Sequence, residues 1–418
     1  MRNAAPPTSP GGDPQCSTRR PALALALLAL GLAACAGQPY GVPQDVSSAA
    51  FLERKITREI DALRVSVAVP DAGETAALFG LPLHERGVQP VWLQVHNDTP
   101  QQVRLSLWSI DPDYFSPLEV AWMHRGGFNK TGRAAMERWF YEHAMPRRIP
   151  AGESRSGFVY TQLQPGSKGM NLDFTSAHLR SFNFTFIVPM PGFIADYMTV
   201  DAEGLYAEDE IVDLTVETLR SALEALPCCS VDESGAHQGM PFNIALIGTR
   251  LAVRRALLRG GWQETAAGDS ATAAARRQRY RNRHPDGTFV KVRADGSERK
   301  ELRLWLTPLR VGDDRVWLGE IGYVLGDEDA GAGGYRIDPD ISAAVRYLMQ
   351  DFWYSQSLLR IGFIRVMEPV PAAAPRTAFA GVSYFTDGLR GVLWLSEQPV
   401  ALDDTVNLAW ELLQYEAK

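Results

Sequence analysis

Beyond residue 35 the sequence has no run approaching ~18 apolar residues, so no later segment is long enough to span a bilayer as a helix. It has no excess of positive charge either. A net charge of −7 gives no footing for nucleic acid. No Gly-x-Ser-x-Gly elbow is present, which removes one route to a serine hydrolase. His-Glu-x-x-His is absent, as are a Gly-x-Gly-x-x-Gly loop and a Walker lysine. The seven histidines, at 84, 96, 124, 143, 178, 237 and 284, are scattered with no metal-ligand spacing. Asp327-Glu328-Asp329 sits in a glycine loop that could hold calcium, but it lacks the EF-hand pattern. The sequence therefore assigns no catalytic residue, metal or cofactor.

What is present is a globular composition, 45% apolar and 22% charged over 418 residues. That length exceeds one ordinary core and implies two or three domains. The N-terminus carries an address. Arg19 and Arg20 precede an apolar run from Ala22 to Ala34, too short to span a bilayer but suited to the h-region of a signal peptide. The run ends in Leu32-Ala33-Ala34-Cys35, which resembles the lipobox of bacterial lipoproteins. That resemblance implies a diacylated Cys35 at the mature N-terminus. An ordinary signal peptide with an Ala-x-Ala cut is the alternative. Ala36 stands where an inner-membrane retention Asp would stand, so the sorting rule of that family points to the outer membrane, facing the periplasm. Two acyl chains suffice for stable anchoring.

Four cysteines are few. Cys16 leaves with the signal and Cys35 carries lipid, so the adjacent pair Cys228-Cys229 remains. An oxidising compartment permits a disulfide, but adjacent cysteines close only a strained ring. Buried free thiols are expected, with a redox or soft-metal role as the alternative.

The chain divides into a signal peptide (1–34), a linker (35–50), a β-rich sandwich-like domain with a helical insertion (51–200) and an α+β domain (201–418). The linker has Gly, Pro, Gln and Ser without periodicity. Leu52, Ile56, Ile60 and Leu63 form one stripe and predict a short helix over 51–63. Alternation at Val65-Ser66-Val67, a pair flanking Asn97-Asp98-Thr99-Pro100, and Phe182-Asn183-Phe184-Thr185-Phe186 predict strands of a sandwich, immunoglobulin-like in outline. Met136, Trp139, Phe140 and His143 predict an inserted helix over 132–144.

In the second half, Glu208 to Leu226 is expected as a helix with acids at its start. Phe242 to Gly248 follows as a buried strand turning into a helix over 249–259. With one Gly and no phosphate motif, this unit reads as packing rather than nucleotide binding. Arg276, Arg277, Arg279, Arg281 and Arg283 form either an anion patch or a solvated face. Leu302, Leu304 and Leu306 alternate with Arg303 and Trp305, and Gly312-Asp313-Asp314 turns the chain into Val316, Leu318, Ile321 and Tyr323, a hairpin. Asp338-Pro339-Asp340 starts a helix whose stripe is Ile341, Val345, Leu348, Met349 and Phe352. Leu402 to Leu412 is expected as a final helix. The fold class is α+β, with a mainly antiparallel or mixed sheet in the C-terminal domain.

Leu226-Pro227-Cys228-Cys229, Pro241 to Gly248, Gly261-Trp262, Leu302 to Trp305, Val316 to Gly319, Ile337-Asp338-Pro339-Asp340 and Tyr384 to Gly388 stand in an order and spacing that resembles the LssY C-terminal domain family. The resemblance covers about half the mature chain. It implies an α+β fold in a bacterial envelope setting, and no established reaction. The sequence departs from the family after Asp-Pro-Asp, where Ser342 stands for an acid and Val345-Arg346 follows. Asp338 and Asp340 are either paired carboxylates or, more simply, helix caps. Arg303, Asp338 and Arg346 are the candidate ligand-binding residues, as a polar group lining a cleft.

The functional expectation is a non-enzymatic envelope lipoprotein held by lipid at Cys35, with an envelope protein or glycolipid as partner and no nucleic acid. The alternative is an envelope hydrolase acting on lipid or cell-wall phosphate. Mass spectrometry of the mature N-terminus is expected to show a diacylated Cys35; an unmodified product beginning elsewhere would remove the anchor.

Overall fold

The computed structural model describes residues 37–41, 46, 49–110, 114–164, 166–178, 180–191, 201, 204–265, 276–292, 298–326 and 335–411. The signal segment, Cys35, the Asp327–Asp329 loop and the 266–275 stretch lie outside them. Among the described residues, no helix is long and apolar enough to cross a membrane.

The first half is a sandwich of two four-stranded antiparallel sheets. One has the order β1 (Ile56–Ile60), β2 (Leu63–Ala68), β3 (Val88–Asn97), β6 (Glu153–Gln162). The other runs β5 (Arg148–Ile149), β4 (Val103–Ser106), β7 (Lys168–Ser176), β8 (Ser181–Val188). Alternation makes the sandwich. Val65, Val67, Leu93 and Val95 meet Leu172, Phe174, Phe184 and Phe186 in one core. A second apolar cluster lies under α1 (Ala72–Phe79), α2 (Pro117–Met123) and α3 (Lys130–Glu142). The inserted helix over 132–144 is thus α3, begun two residues earlier because Asn129 caps it through the Gly132 amide.

Two expectations fail here. Residues 51–63 form a 3₁₀ turn and the β1–β2 hairpin, not a helix. Ile56 and Ile60 are four apart, a spacing that shares one face in a helix and in a strand alike, and pairing with β2 decides between them. Gln38 and Tyr40, in the supposed linker, are built into the sandwich unit. Gln38 pairs with Phe128, and Tyr40 is buried and donates its hydroxyl to the Phe79 carbonyl at 2.7 Å.

The second half is organised on a ten-stranded mixed sheet. Its main path is β13 (Gln263–Thr265), β14 (Gly287–Val292), β15 (Glu298–Val311), β16 (Asp314–Gly326), β12 (Ile244–Gly248), β21 (Leu389–Leu395), β18 (Leu358–Arg365), β22 (Val406–Asn407). β9 (Val212–Asp213) joins β15 and β17 (Tyr335–Ile337) joins β16. Most pairs are antiparallel; β12–β21, β18–β22 and β15–β9 are parallel. The expected α+β class and the expected strand-helix unit at 242–259 both appear, the helix being α5 (Arg250–Arg259) with Thr249 as its cap.

Helix α5 and α6 (Ile341–Tyr354) cover one face, burying Ala256, Leu257, Val345, Leu348 and Phe352 on Leu246, Leu302, Leu304 and Leu393. Each of the larger side chains among them, the Val, Leu and Phe, contributes ~1.5–3 kcal/mol. The other face carries α4 (Val216–Glu224), a ribbon of β10 (Cys229–Val231) and β11 (Gln238–Pro241), and the 276–283 loop. A small hairpin, β19 (Arg376–Thr377) with β20 (Ser383–Tyr384), completes the set.

The 208–226 segment is not one helix. Residues 208–210 are a 3₁₀ turn, β9 pairs with β15, and α4 begins only after Thr215 caps the Thr218 amide. The final helix is also absent from the described residues: Val406 to Asn407 is an edge strand, and Leu408 and Trp410 close over Gly362. Their spacing of two is strand spacing.

The expectation of free thiols is corrected as well. A disulfide joins Cys228 to Cys229. The chain leaves α4 at Pro227 and must turn at once into β10, and the link sits in that turn, where the Cys228 carbonyl also accepts from the Phe242 amide. Thiol titration of the denatured, unreduced protein is expected to find neither Cys228 nor Cys229 free; two free thiols would contradict the link.

Candidate binding site

Arg303 is the first candidate to place. On β15, Leu302, Leu304 and Leu306 point to α5 and α6, so Arg303 and Glu301 point to the opposite face. There Arg303 is buried and donates to Glu301 Oε2 and Glu320 Oε1, each at 2.8 Å. Arg299 adds a second cation to Glu301 at 2.9 Å. Gln278 donates to Glu320 Oε1 at 2.9 Å, and Ser230 in β10 bonds to Gln278. Burial pulls the guanidinium's pKa down, but Glu320 and Glu301 together outweigh it and hold it above the ordinary arginine value. Among the described residues, Arg303 Nε and Glu320 Oε2 have no hydrogen-bond partner. Both residues line a cavity of about 10 Å³ with Met240, Asn243, Ile337 and Ile341. That space suits one water. Arg303 is therefore neutralised inside a closed ionic network.

Asp338 and Arg346 lie elsewhere. Asp338 Oδ1 accepts from the Asp340 amide at 2.9 Å, and Asp340 Oδ1 caps α6 through the Ala343 amide at 3.0 Å. Arg346 stands half-exposed between Asp340 (3.7 Å) and Asp387 (3.8 Å). Ser342 is buried and bridges Thr386 (3.2 Å) and the Asp387 amide (3.1 Å). Asp340 and Arg346 thus secure the start of α6, and the described contacts do not join Asp338 or Arg346 to Arg303.

The large concavity is one that no motif marks. A cleft of about 750 Å³ lies between the outer face of β7–β8 and the ends of α5 and α6. Helix α5 comes flush against β7, where a Cβ on Gly169 would overlap Leu258. The sandwich wall offers Asn171 and Asp173, cross-strand from Thr185 and Asn183. Thr185 donates to Asn171 at 2.8 Å and Asn183 to Asp173 at 2.7 Å. Opposite stand Arg259, Trp262, Gln263, Lys291, Asp351, Tyr354 and Gln356. Asp351 is held by Lys291 (2.8 Å) and by the Trp262 indole N–H (2.7 Å). Burial lowers the Arg259 pKa, nearby Arg255 lowers it further, and Asp173 acts the other way. Arg259 Nη1 is buried without a partner among the described residues, while Nη2 donates to the Glu397 carbonyl at 2.7 Å. Tyr354 is 62% exposed, and its ring stacks on Trp353.

Residues 223–389, from the α4 exit to the Thr386 turn, match the family described as LssY C-terminus. The match takes in the ionic network, the Cys228–Cys229 turn, the start of α6 and one wall of the cleft. It leaves out the sandwich wall. Comparison with curated proteins returned no match. Outside that match, in the sandwich, the sequence did carry a signal for the cleft: outward positions of β7 and β8 include Asn, Asp and Thr rather than Lys and Glu.

Arg303→Leu is expected to cost about 3–5 kcal/mol in denaturant unfolding, because Glu301 and Glu320 stay buried with less neutralisation. Joint Arg303→Met and Glu320→Leu is expected to restore part of that. A single-mutant loss below ~1 kcal/mol would show the network to be solvated.

Proposed function

We propose that the chain is a lipid-anchored protein of the bacterial outer membrane, facing the periplasm, that binds a polyhydroxylated envelope ligand such as the sugar part of a glycolipid without turning it over. The cleft between the β7–β8 face and the α5 and α6 ends carries this reading. Its wall is rich in neutral amides and hydroxyls, from Gln162, Asn171, Asn183, Thr185, Gln263 and Gln356. Such groups both donate and accept, which matches sugar hydroxyls. Tyr354 supplies an open aromatic face for the apolar side of a ring. The carboxylates in the cleft already have partners: Asp351 is tied to Lys291 and Trp262, and Asp173 to Asn183. That suits holding a ligand better than abstracting a proton. The lipobox-like Leu-Ala-Ala-Cys at 32–35 supports the address.

Calorimetric titration with a peptidoglycan disaccharide fragment is the test, beside a phosphatase and esterase panel. Binding is expected, weakened at least tenfold by Tyr354→Ala or Asn171→Ala with unchanged melting temperature. Turnover in the panel that Asp351→Asn abolishes would instead make the cleft a hydrolase site.

A further inference from the structure

The short helix α2 leaves an unusual surface. Its buried side puts Val120 and Ala121 into the sandwich cluster. Its open side carries Leu118 and Trp122, one helical turn apart and 58% and 57% exposed. Arg125 lies over the Trp122 ring at 3.2 Å. Between residues 117 and 133 the charges are Arg125, Lys130 and Arg133 against Glu119 alone.

The N-terminal end of the fold is fastened at the same place. Gln38 donates to the Gly127 carbonyl at 2.8 Å and accepts from the Asn129 amide at 3.0 Å, in the turn between α2 and α3. The strip then crosses the first turn of α3 so closely that a Cβ on Gly132 would lie 2.7 Å from the Tyr40 nitrogen. Tyr40 packs edge-on against Phe128 and is buried. Only Ala36 separates Cys35 from Gly37, the first described residue. Two residues reach at most about 7 Å.

From this we infer that the α2–α3 turn, with Leu118 and Trp122, is a membrane-docking face that rests on the lipid bilayer. The inference rests on the anchor at Cys35. A tether that short cannot hold the protein away from the headgroups. It brings to them an apolar pair flanked by cations, the composition of an interfacial contact with anionic lipid. Trp at the interface keeps its indole at headgroup depth, and the arginine stacked on it can reach lipid phosphate.

The test uses the acylated mature protein in vesicles of phosphatidylethanolamine and phosphatidylglycerol. A fluorescent probe sensitive to polarity is attached at Leu118→Cys, or at Pro100→Cys in the exposed turn after β3. The probe at 118 is expected to shift to the blue and to be quenched by brominated lipid at least twofold more than the probe at 100. Equal, aqueous behaviour at both positions would overturn the docking face. Mass spectrometry of the same preparation reports the acyl chains separately. An unmodified Cys35 with a quenched probe at 118 would remove the anchor and keep the face; an acylated Cys35 with an unquenched probe would do the reverse.

Discussion

The register of β15 against β16 is the constraint on which the second half of the molecule depends. The two strands pair from Glu298 with Leu325 through Leu306 with Trp317, and again at Arg310 with Arg315. Side chains alternate, so this single alignment sends Leu302, Leu304, Leu306 and Ile321 to the helices and Arg303 and Glu320 to the other face. A slip of one residue would place the ion pair under α5 and α6 and the leucines under a polar cover. Both packings of the sheet follow from one alignment.

The polar face then solves the problem of buried charge twice, in different ways. Arg303 is surrounded by carboxylates. Arg390, fully buried, is given backbone carbonyls instead: Phe242 (2.7 Å), Leu223 (3.0 Å) and Pro227 (2.6 Å). Burial depresses its pKa to about 9, with Tyr280 acting the other way, so it stays charged at neutral pH. Leu223 and Pro227 lie at the C-terminal end of α4, where the helix dipole favours a cation. The arginine thereby fixes α4 and the turn holding Cys228 and Cys229 to strand β21.

The sandwich contributes differently. Its inner faces are aliphatic and aromatic, while the outer face of β7–β8 is kept polar without being strongly charged. A surface intended only for water can be made of lysine and glutamate at no cost to folding. Amides and hydroxyls hydrogen-bonded across strands hold a fixed pattern instead, and α5 closes against that face through Gly169 and Leu258. On the same sandwich unit the α2–α3 turn receives the N-terminal strip. The N-terminal strip and one cleft wall are thus features of one unit, and the stretch that matches the LssY C-terminus family supplies the opposite wall.

By itself the sequence determined the elements whose hydrophobic period is unambiguous. Among these are β15 and β16, the α5 strand-helix unit, α3 and the capped start of α6. It determined the α+β class, and enough spaced pieces to point to the LssY C-terminus domain. Where two periods coincide it chose wrongly, as at Ile56 and Ile60, or over-extended a helix, as before Thr215. It also placed Arg303, Asp338 and Arg346 in one cleft. Tertiary structure put Arg303 in the ionic network of β15 and β16 and left Asp338 and Arg346 in the contacts at the start of α6. The Cys228–Cys229 link, the polar cleft and the docking of Gln38 and Tyr40 on the α2–α3 turn were likewise decided only in three dimensions. Each depends on residues far apart in the chain, whose meeting is set by packing and strand pairing, and local propensity carries no information about such meetings.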